Sequence, residues 1–212
     1  MLTITMIDKT YFKNKKILVT GGTGMIGRQL VSKLCDLESE VTSVSMDNLI
    51  IDERAQYIKS DLTNIDNCKS VTKNKDIVFH VAGIKGSIEV TKSKPASFMV
   101  PMMMFNTNIL EASRLNDVNN LVFTSSIGAY SSAEIFVEKD SEESEPPMDF
   151  YPGWAKRVAE LQIQAYREQY NVNWSVVRPS NIYGPGDNFD EKNAMVIPSL
   201  ISKIYKKKLP LK

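Results

Sequence analysis

Residues Thr20 to Gly27 read T-G-G-T-G-M-I-G, a spacing of glycines that lets a backbone bring bare N–H groups up to a phosphate. A short apolar run, Ile17-Leu18-Val19, leads into them, and a stretch with Ile26, Leu30, Val31 and Leu34 on one helical face follows. In such a strand–turn–helix setting Gly21 supplies a tight turn and Gly24 leaves room for a pyrophosphate, while Gly27 lets the helix pack close to the sheet. Met25 and Ile26 open the helix, whose unused N–H groups and positive dipole end would hold the phosphates. The chemistry this predicts is dinucleotide binding.

Asp47 lies about 20 residues beyond the loop, at the end of the second apolar run, where a carboxylate bonds the adenosine ribose 2′-hydroxyl. It would also repel a 2′-phosphate, which favours NAD over NADP; a solvated strand-end aspartate is the alternative. Asp61, past the third run, either faces the adenine or forms a turn. The single histidine, His80, closes the fourth run and is expected to be packed and hydrogen-bonded rather than an acid or base. Cys35 and Cys68 sit in helical segments without a partner at metal-site or C-x-x-C spacing, so no metal site is predicted and both thiols are expected reduced.

The elements that must position these residues alternate along the chain. Apolar runs at 17–19, 41–46, 57–59, 76–81, 121–124 and 174–177 read as strands, and the segments near 24–37, 64–72, 96–115, 153–170 and 194–207 read as helices. That order predicts an α/β fold with a doubly wound parallel sheet, the Rossmann arrangement. Residues 1–14 read as a lead-in, 15–180 as the NAD-binding domain, and 181–212 as part of a substrate-binding segment. The acidic stretch from Glu138 to Pro147 reads as a surface loop. Methionines 99 and 102–104 are expected to form a packed or helix-pairing face. Hydrophobic residues make up 42% of the chain and charged residues 24%, as in ordinary globular domains, and the net charge of +1 gives no field for nucleic acid or an anionic membrane. The lysines at 203, 206–208 and 212 read as a solvated helix end. With no membrane-length apolar run and no signal-peptide core, the expected location is the cytoplasm.

With these residues in place the sequence resembles the extended short-chain dehydrogenase/reductases, the group of nucleotide-sugar epimerases, dehydratases and reductases. The resemblance rests on T-G-G-T-G-M-I-G, Asp61-Leu62, V-F-H-V-A-G at 78–83, T-S-S-I-G-A-Y at 124–130, Lys156, and R-P-S-N-I-Y-G-P-G-D-N-F at 178–189. The last, continuing into V-I-P-S-L, looks most like the GDP-fucose synthase branch. The resemblance implies that Asn48, Leu62, Val81, Ala82, Gly83, Lys156, Pro179 and Asn181 join the glycine loop, Asp47 and Asp61 around the cofactor, and that Asn181 and Asn188 face the substrate. It implies a catalytic serine at Ser126 and a lysine at Lys156 that holds the nicotinamide ribose and lowers the pKa of a tyrosine four residues earlier. That position is Pro152. Tyr151 is one residue too early; with Pro152 as the first helical residue, it is expected to lie outside the helix, where it either takes over the proton chemistry or packs at the helix entrance. The epimerisation base and acid of the fucose-synthase branch correspond to Gly128 and Met195, and an asparagine expected in the long helix corresponds to Met102.

Relatives of this type continue well past residue 212 with most of a sugar-nucleotide domain, so the cofactor half is expected here and much of the substrate half is not. Two functions stay open. One is NAD-dependent modification of a nucleotide-activated sugar; the other is a non-catalytic cofactor-binding relative with a sensing or interaction role. The resemblance further implies a homodimer that pairs helices 96–115 and 153–170 in a four-helix bundle.

Overall fold

The computed structural model describes residues 9–84, 88–137, 145–190 and 194–208. The strands are β1 (Lys16–Thr20), β2 (Glu40–Ser45), β3 (Gln56–Lys59), β4 (Ile77–His80), β5 (Asn120–Thr124) and β6 (Asn173–Val177). The helices are α1 (Met25–Asp36), α2 (Ile65–Thr72), α3 (Ile88–Ser93), α4 (Pro95–Leu115), α5 (Phe150–Tyr170) and α6 (Val196–Lys208). All strand pairs are parallel, in the order β3-β2-β1-β4-β5-β6.

Apolar residues along the central strands alternate between the two faces, so each strand feeds two cores. Ile17, Val19, Val41 and Ile77 pack with Val31, Leu34 and Cys35 of α1. Leu18, Val44, Val78, Leu121 and Phe123 face the opposite way, onto α2, α4 and α5. Met102 is buried in that second core, Met99 and Met103 pack against it, and Met104 is exposed, so the methionines form a packed face with one outward member. Cys35 and Cys68 are both free and buried. Strand order reverses between β1 and β4, and the crevice at the carboxyl ends of such a reversal is where doubly wound sheets take their ligands.

Most boundaries lie within two residues of the sequence expectation, the short α3 was not foreseen, and three differences bear on the site. β2 ends at Ser45, which leaves Asp47 in the loop beyond it, and β4 is confined to Ile77–His80. The consequential difference is α5, which starts at Phe150. Gly153 N donates to Asp149 O, closing a helical turn that already contains Tyr151 and Pro152. Proline is tolerated throughout a first turn because N–H groups there have no helical acceptor, so Pro152 did not mark the helix start. Tyr151 is therefore inside the helix, not outside it. Most of the acidic stretch, 138–144, lies outside the described residues, as do 1–8 of the lead-in and the C-terminal residues 209–212.

Candidate cofactor and active site

The glycine loop is held from three sides. Gly21 takes φ +67°, and a Cβ there would meet the backbone of Ala82 at 2.8 Å, so the turn after β1 lies directly against the end of β4. Gly21 N donates to Val44 O at 2.7 Å, and Gly24 N donates to Gly21 O at 3.0 Å. A Cβ on Gly27 would run into the Gly21 carbonyl, which fixes α1 close to the turn. Gly22, which the sequence reading passed over, has the same constraint against Ser43 on β2. Gly24 differs: a Cβ there would meet Gly21 O at 3.2 Å and nothing nearer, so its open side is available to a ligand. Gly24 is also the N-cap of α1, and the N–H groups of Met25 and Ile26 belong to the helix turn that lacks internal acceptors.

Beneath the loop runs a buried polar chain. Asn106 Nδ2 donates to Ala155 O, which turns Asn106 Oδ1 toward His80 Nε2 at 2.9 Å. His80 therefore carries its proton on Nε2, and Nδ1 accepts from Thr20 Oγ1 at 2.7 Å. Thr20 Oγ1 in turn accepts from the N–H groups of Val81 and Ala82, both at 3.2 Å. Every member is satisfied, and the chain ties β1, β4, α4 and α5 together at the crevice. Burial and the positive charge of Lys156, against a smaller opposing effect of Asn106, push the imidazole pKa down to about 3. His80 is thus a packed, neutral residue, as the sequence predicts. Thr20 and Asn106 were not singled out from sequence; a small polar residue ending a buried strand beside a glycine loop is the signal that would have found Thr20.

The carboxylate of Asp47 lies at the same crevice. It accepts from Thr23 Oγ1 at 2.9 Å and from Leu49 N at 2.9 Å, so it is fixed to the glycine loop itself. Thr23, also unremarked in the sequence, is buried and places its N–H on Ser45 Oγ. Asn48 is exposed beside Asp47. Asp61 accepts from the backbone N–H and hydroxyl of Thr63, the turn-forming alternative. The Leu62 side chain is buried in the core. Gly83 is exposed past β4, and a Cβ there would stand 4.0 Å from Lys156 Nζ.

Lys156 reaches the crevice from α5. Its side chain is buried, its ammonium donates to Thr124 O at 2.8 Å, and it lies 4.8 Å from the centre of the Phe123 ring. Burial lowers its pKa to about 8, with Glu160 pulling the other way. Glu160 itself is fixed by the Arg178 guanidinium and the Ser125 hydroxyl, clamping α5 to the ends of β5 and β6. Ser126 Oγ accepts from Gly128 N at 3.1 Å in a 3-10 turn, Ile127–Ala129, and Ile127 N donates to Pro179 O at 3.1 Å. A side chain at Gly128 would collide with the Asp149 carboxyl group, so that space is already filled from α5. Tyr151 is not brought to Ser126 or Lys156. Five residues before Lys156 on a regular helix, it points about 140° away around the axis; the ring is 43% exposed and meets the edge of Phe150. Asn181 and Asn188 are exposed on the loop after β6. The structure therefore gathers the glycine loop, Asp47, Val81–Gly83 and Lys156 at one crevice, and leaves Tyr151 aside.

Comparison with known proteins agrees with this geometry. Residues 17–212 match the NAD dependent epimerase/dehydratase family. A putative UDP-glucose 4-epimerase of Methanocaldococcus jannaschii is 31% identical over 206 residues, covering 92% of this chain and 65% of that protein. A GDP-L-fucose synthase of Azorhizobium caulinodans is 30% identical over 200 residues, covering 92% of this chain and 60% of its own length. Among solved structures, the UDP-N-acetylglucosamine 4-epimerase of Methanobrevibacter ruminantium in complex with UDP-N-acetylmuramic acid superimposes with a TM-score of 0.78 at 28% identity, covering 93% of this chain and 65% of that one. The chain thus spans 60–65% of the length of these relatives.

Proposed function

The chain belongs to the NAD dependent epimerase/dehydratase family, and from that premise we propose that it forms the cofactor-binding part of an NAD-dependent enzyme acting on a nucleotide-activated sugar. The observation that carries the proposal is the convergence of the open Gly24 edge, Asp47 and the buried Lys156 ammonium on one crevice. Gly24 and the first turn of α1 hold the pyrophosphate, and Asp47 takes the adenosine ribose. Lys156 meets the nicotinamide ribose from the far side. The bound nicotinamide supplies hydride transfer at a sugar carbon; the chain's own residues orient it and manage the proton.

NAD is favoured over NADP on charge. Asp47 is held in place by Thr23, and residues 46–53 contain no lysine or arginine to receive a 2′-phosphate. Arg54, the next cation, is occupied by Asp52 and Asp36. On the substrate side Ser126 polarises the reacting oxygen, and Asn181 and Asn188 face the sugar nucleotide. Tyr151 carries the proton in this reading after the first turn of α5 unwinds, since its place in that turn points it away from Lys156.

A second reading, a non-catalytic cofactor-binding relative, is favoured by one specific feature: the position that should carry the tyrosine is Pro152, and Tyr151 points away from Lys156. Incubating the natural full-length protein with NAD and UDP-, GDP- or dTDP-linked hexoses, with products followed by NMR, separates the two. Conversion of one sugar nucleotide is expected. Tight NADH binding with no conversion of any would establish the second reading instead.

A further inference from the structure

Two buried polar atoms without a hydrogen-bond partner flank a single glycine. One is Nε of Arg28, one turn into α1; the other is Oδ2 of Asp187, in the loop after β6. Gly186 lies between them at φ +84°, and a Cβ there would meet Cδ and Cζ of Arg28 at 2.6 Å, so the loop backbone rests directly on the guanidinium. The two side chains carry opposite charge on either side of Gly186, and each leaves one polar atom without a partner. Each has a single anchor on its own side: Arg28 Nη2 donates to Thr23 O at 2.9 Å, and Asp187 Oδ1 accepts from Asn188 N at 2.8 Å.

Leaving these atoms apart is unfavourable on three counts. A buried polar atom without a partner keeps the desolvation cost of that atom, although both side chains are only half-buried. A cation in the first turns of a helix opposes the helix dipole. Finally, among the described residues the guanidinium's hydrogen bond at the glycine loop goes to a neutral carbonyl, Thr23 O, and not to a carboxylate. A short movement of the loop, with Gly186 as the pivot that admits it, would give both atoms a partner by joining Nε–H to Oδ2 and would place an anion beside the cation.

We propose that Arg28 and Asp187 are a positioning pair, which a short loop movement joins to seat the loop 184–190 on the cofactor helix, and which bound cofactor holds together longer. The link to the cofactor is physical: Thr23, whose carbonyl Arg28 holds, places its hydroxyl on Asp47 and its N–H on Ser45. A ligand ordering Asp47 and the glycine loop thereby fixes the guanidinium that the loop must meet. Cofactor binding thereby shifts the loop bearing Asn188 toward its seated position. Calling that loop's ligand a sugar nucleotide rests on the proposed function; the pairing does not.

Hydrogen exchange of segment 182–190, with and without NADH, tests this in wild type, Arg28→Gln, Asp187→Asn and the double variant, beside NADH titrations of all four. Loss of one charge-assisted bond should speed exchange in this segment about tenfold in either single variant. The double variant should be no faster than the worse single variant, and Arg28→Lys should recover part of the protection. NADH should slow exchange there in wild type and not in the two single variants, while NADH affinity stays within about threefold throughout. Additive effects, or an unchanged segment in Asp187→Asn, would overturn the pair. So would an NADH affinity lost in Arg28→Gln alone, which would make the guanidinium a phosphate ligand. If wild type failed to bind NADH, the nicotinamide reading would fall, yet the exchange rates without ligand would still decide the pair.

Discussion

Lys156 is where the electrostatics of the site are most exposed to experiment. Burial holds its pKa near 8, against an ordinary value of 10.5. Between those two values the folded chain has released a proton that the unfolded chain retains, so wild-type stability gains with rising pH across that window. Below pH 8 the full cost of a buried ammonium is present. The stability of wild type minus that of Lys156→Met should therefore climb from about pH 8 to 10.5 in urea titrations; a flat difference would mean that the ammonium is not buried as described. Asp47 makes the second residue-level prediction. Asp47→Asn removes the repulsion of a 2′-phosphate and should narrow the NADH/NADPH preference about tenfold or more; wild type binding NADPH at least as tightly as NADH would remove that role from Asp47. At this scale the sequence exposed the residues whose identity is itself the signal. Gly21, Gly24 and Gly27 could be assigned because only glycine satisfies their three different constraints. Thr20, Thr23 and Asn106 stayed hidden, because their partners, His80, Asp47 and Ala155, are distant in sequence and any small polar residue is unremarkable until the strands are side by side.

Among the elements, all six strands and the five longer helices were legible, since apolar runs and helical faces are dictated by burial on both sides of a parallel sheet. Helix starts were not. A proline is compatible with any position in a first turn, so Pro152 was consistent with a start at its own position and with the actual start at Phe150. Two residues of difference carried Tyr151 from a hinge-like loop into a helical turn, and this matters more to function than any strand boundary. If the protein is catalytic and Tyr151 still moves the proton, Tyr151→Phe should lower turnover about a hundredfold or more with NADH affinity intact. Unchanged turnover would transfer the role elsewhere, with Tyr130, beside the Arg178 guanidinium, the next tyrosine to examine.

At the scale of the whole molecule, α4 and α5 pack against each other and present Val100, Met104 and Leu161 to solvent. We expect a second copy to cover this face in a two-fold four-helix arrangement. Light scattering at high micromolar concentration should report a dimer that Leu161→Lys weakens; a monomer at that concentration would exclude it. No helix among the described residues is long and apolar enough to cross a membrane. Cofactor binding at the glycine loop is tested most directly by calorimetric titration of NADH into wild type and Gly24→Val. Gly24 is the point where the loop's backbone is open to a pyrophosphate, and a β-branched side chain there obstructs the approach at the cost of a small adjustment at the Gly21 carbonyl, 3.2 Å from the new Cβ. Saturable heat is expected with wild type, and none with a Gly24→Val protein that melts within a few degrees of it. NADH binding of equal strength in both, or in neither while both are folded, would contradict cofactor binding at the glycine loop.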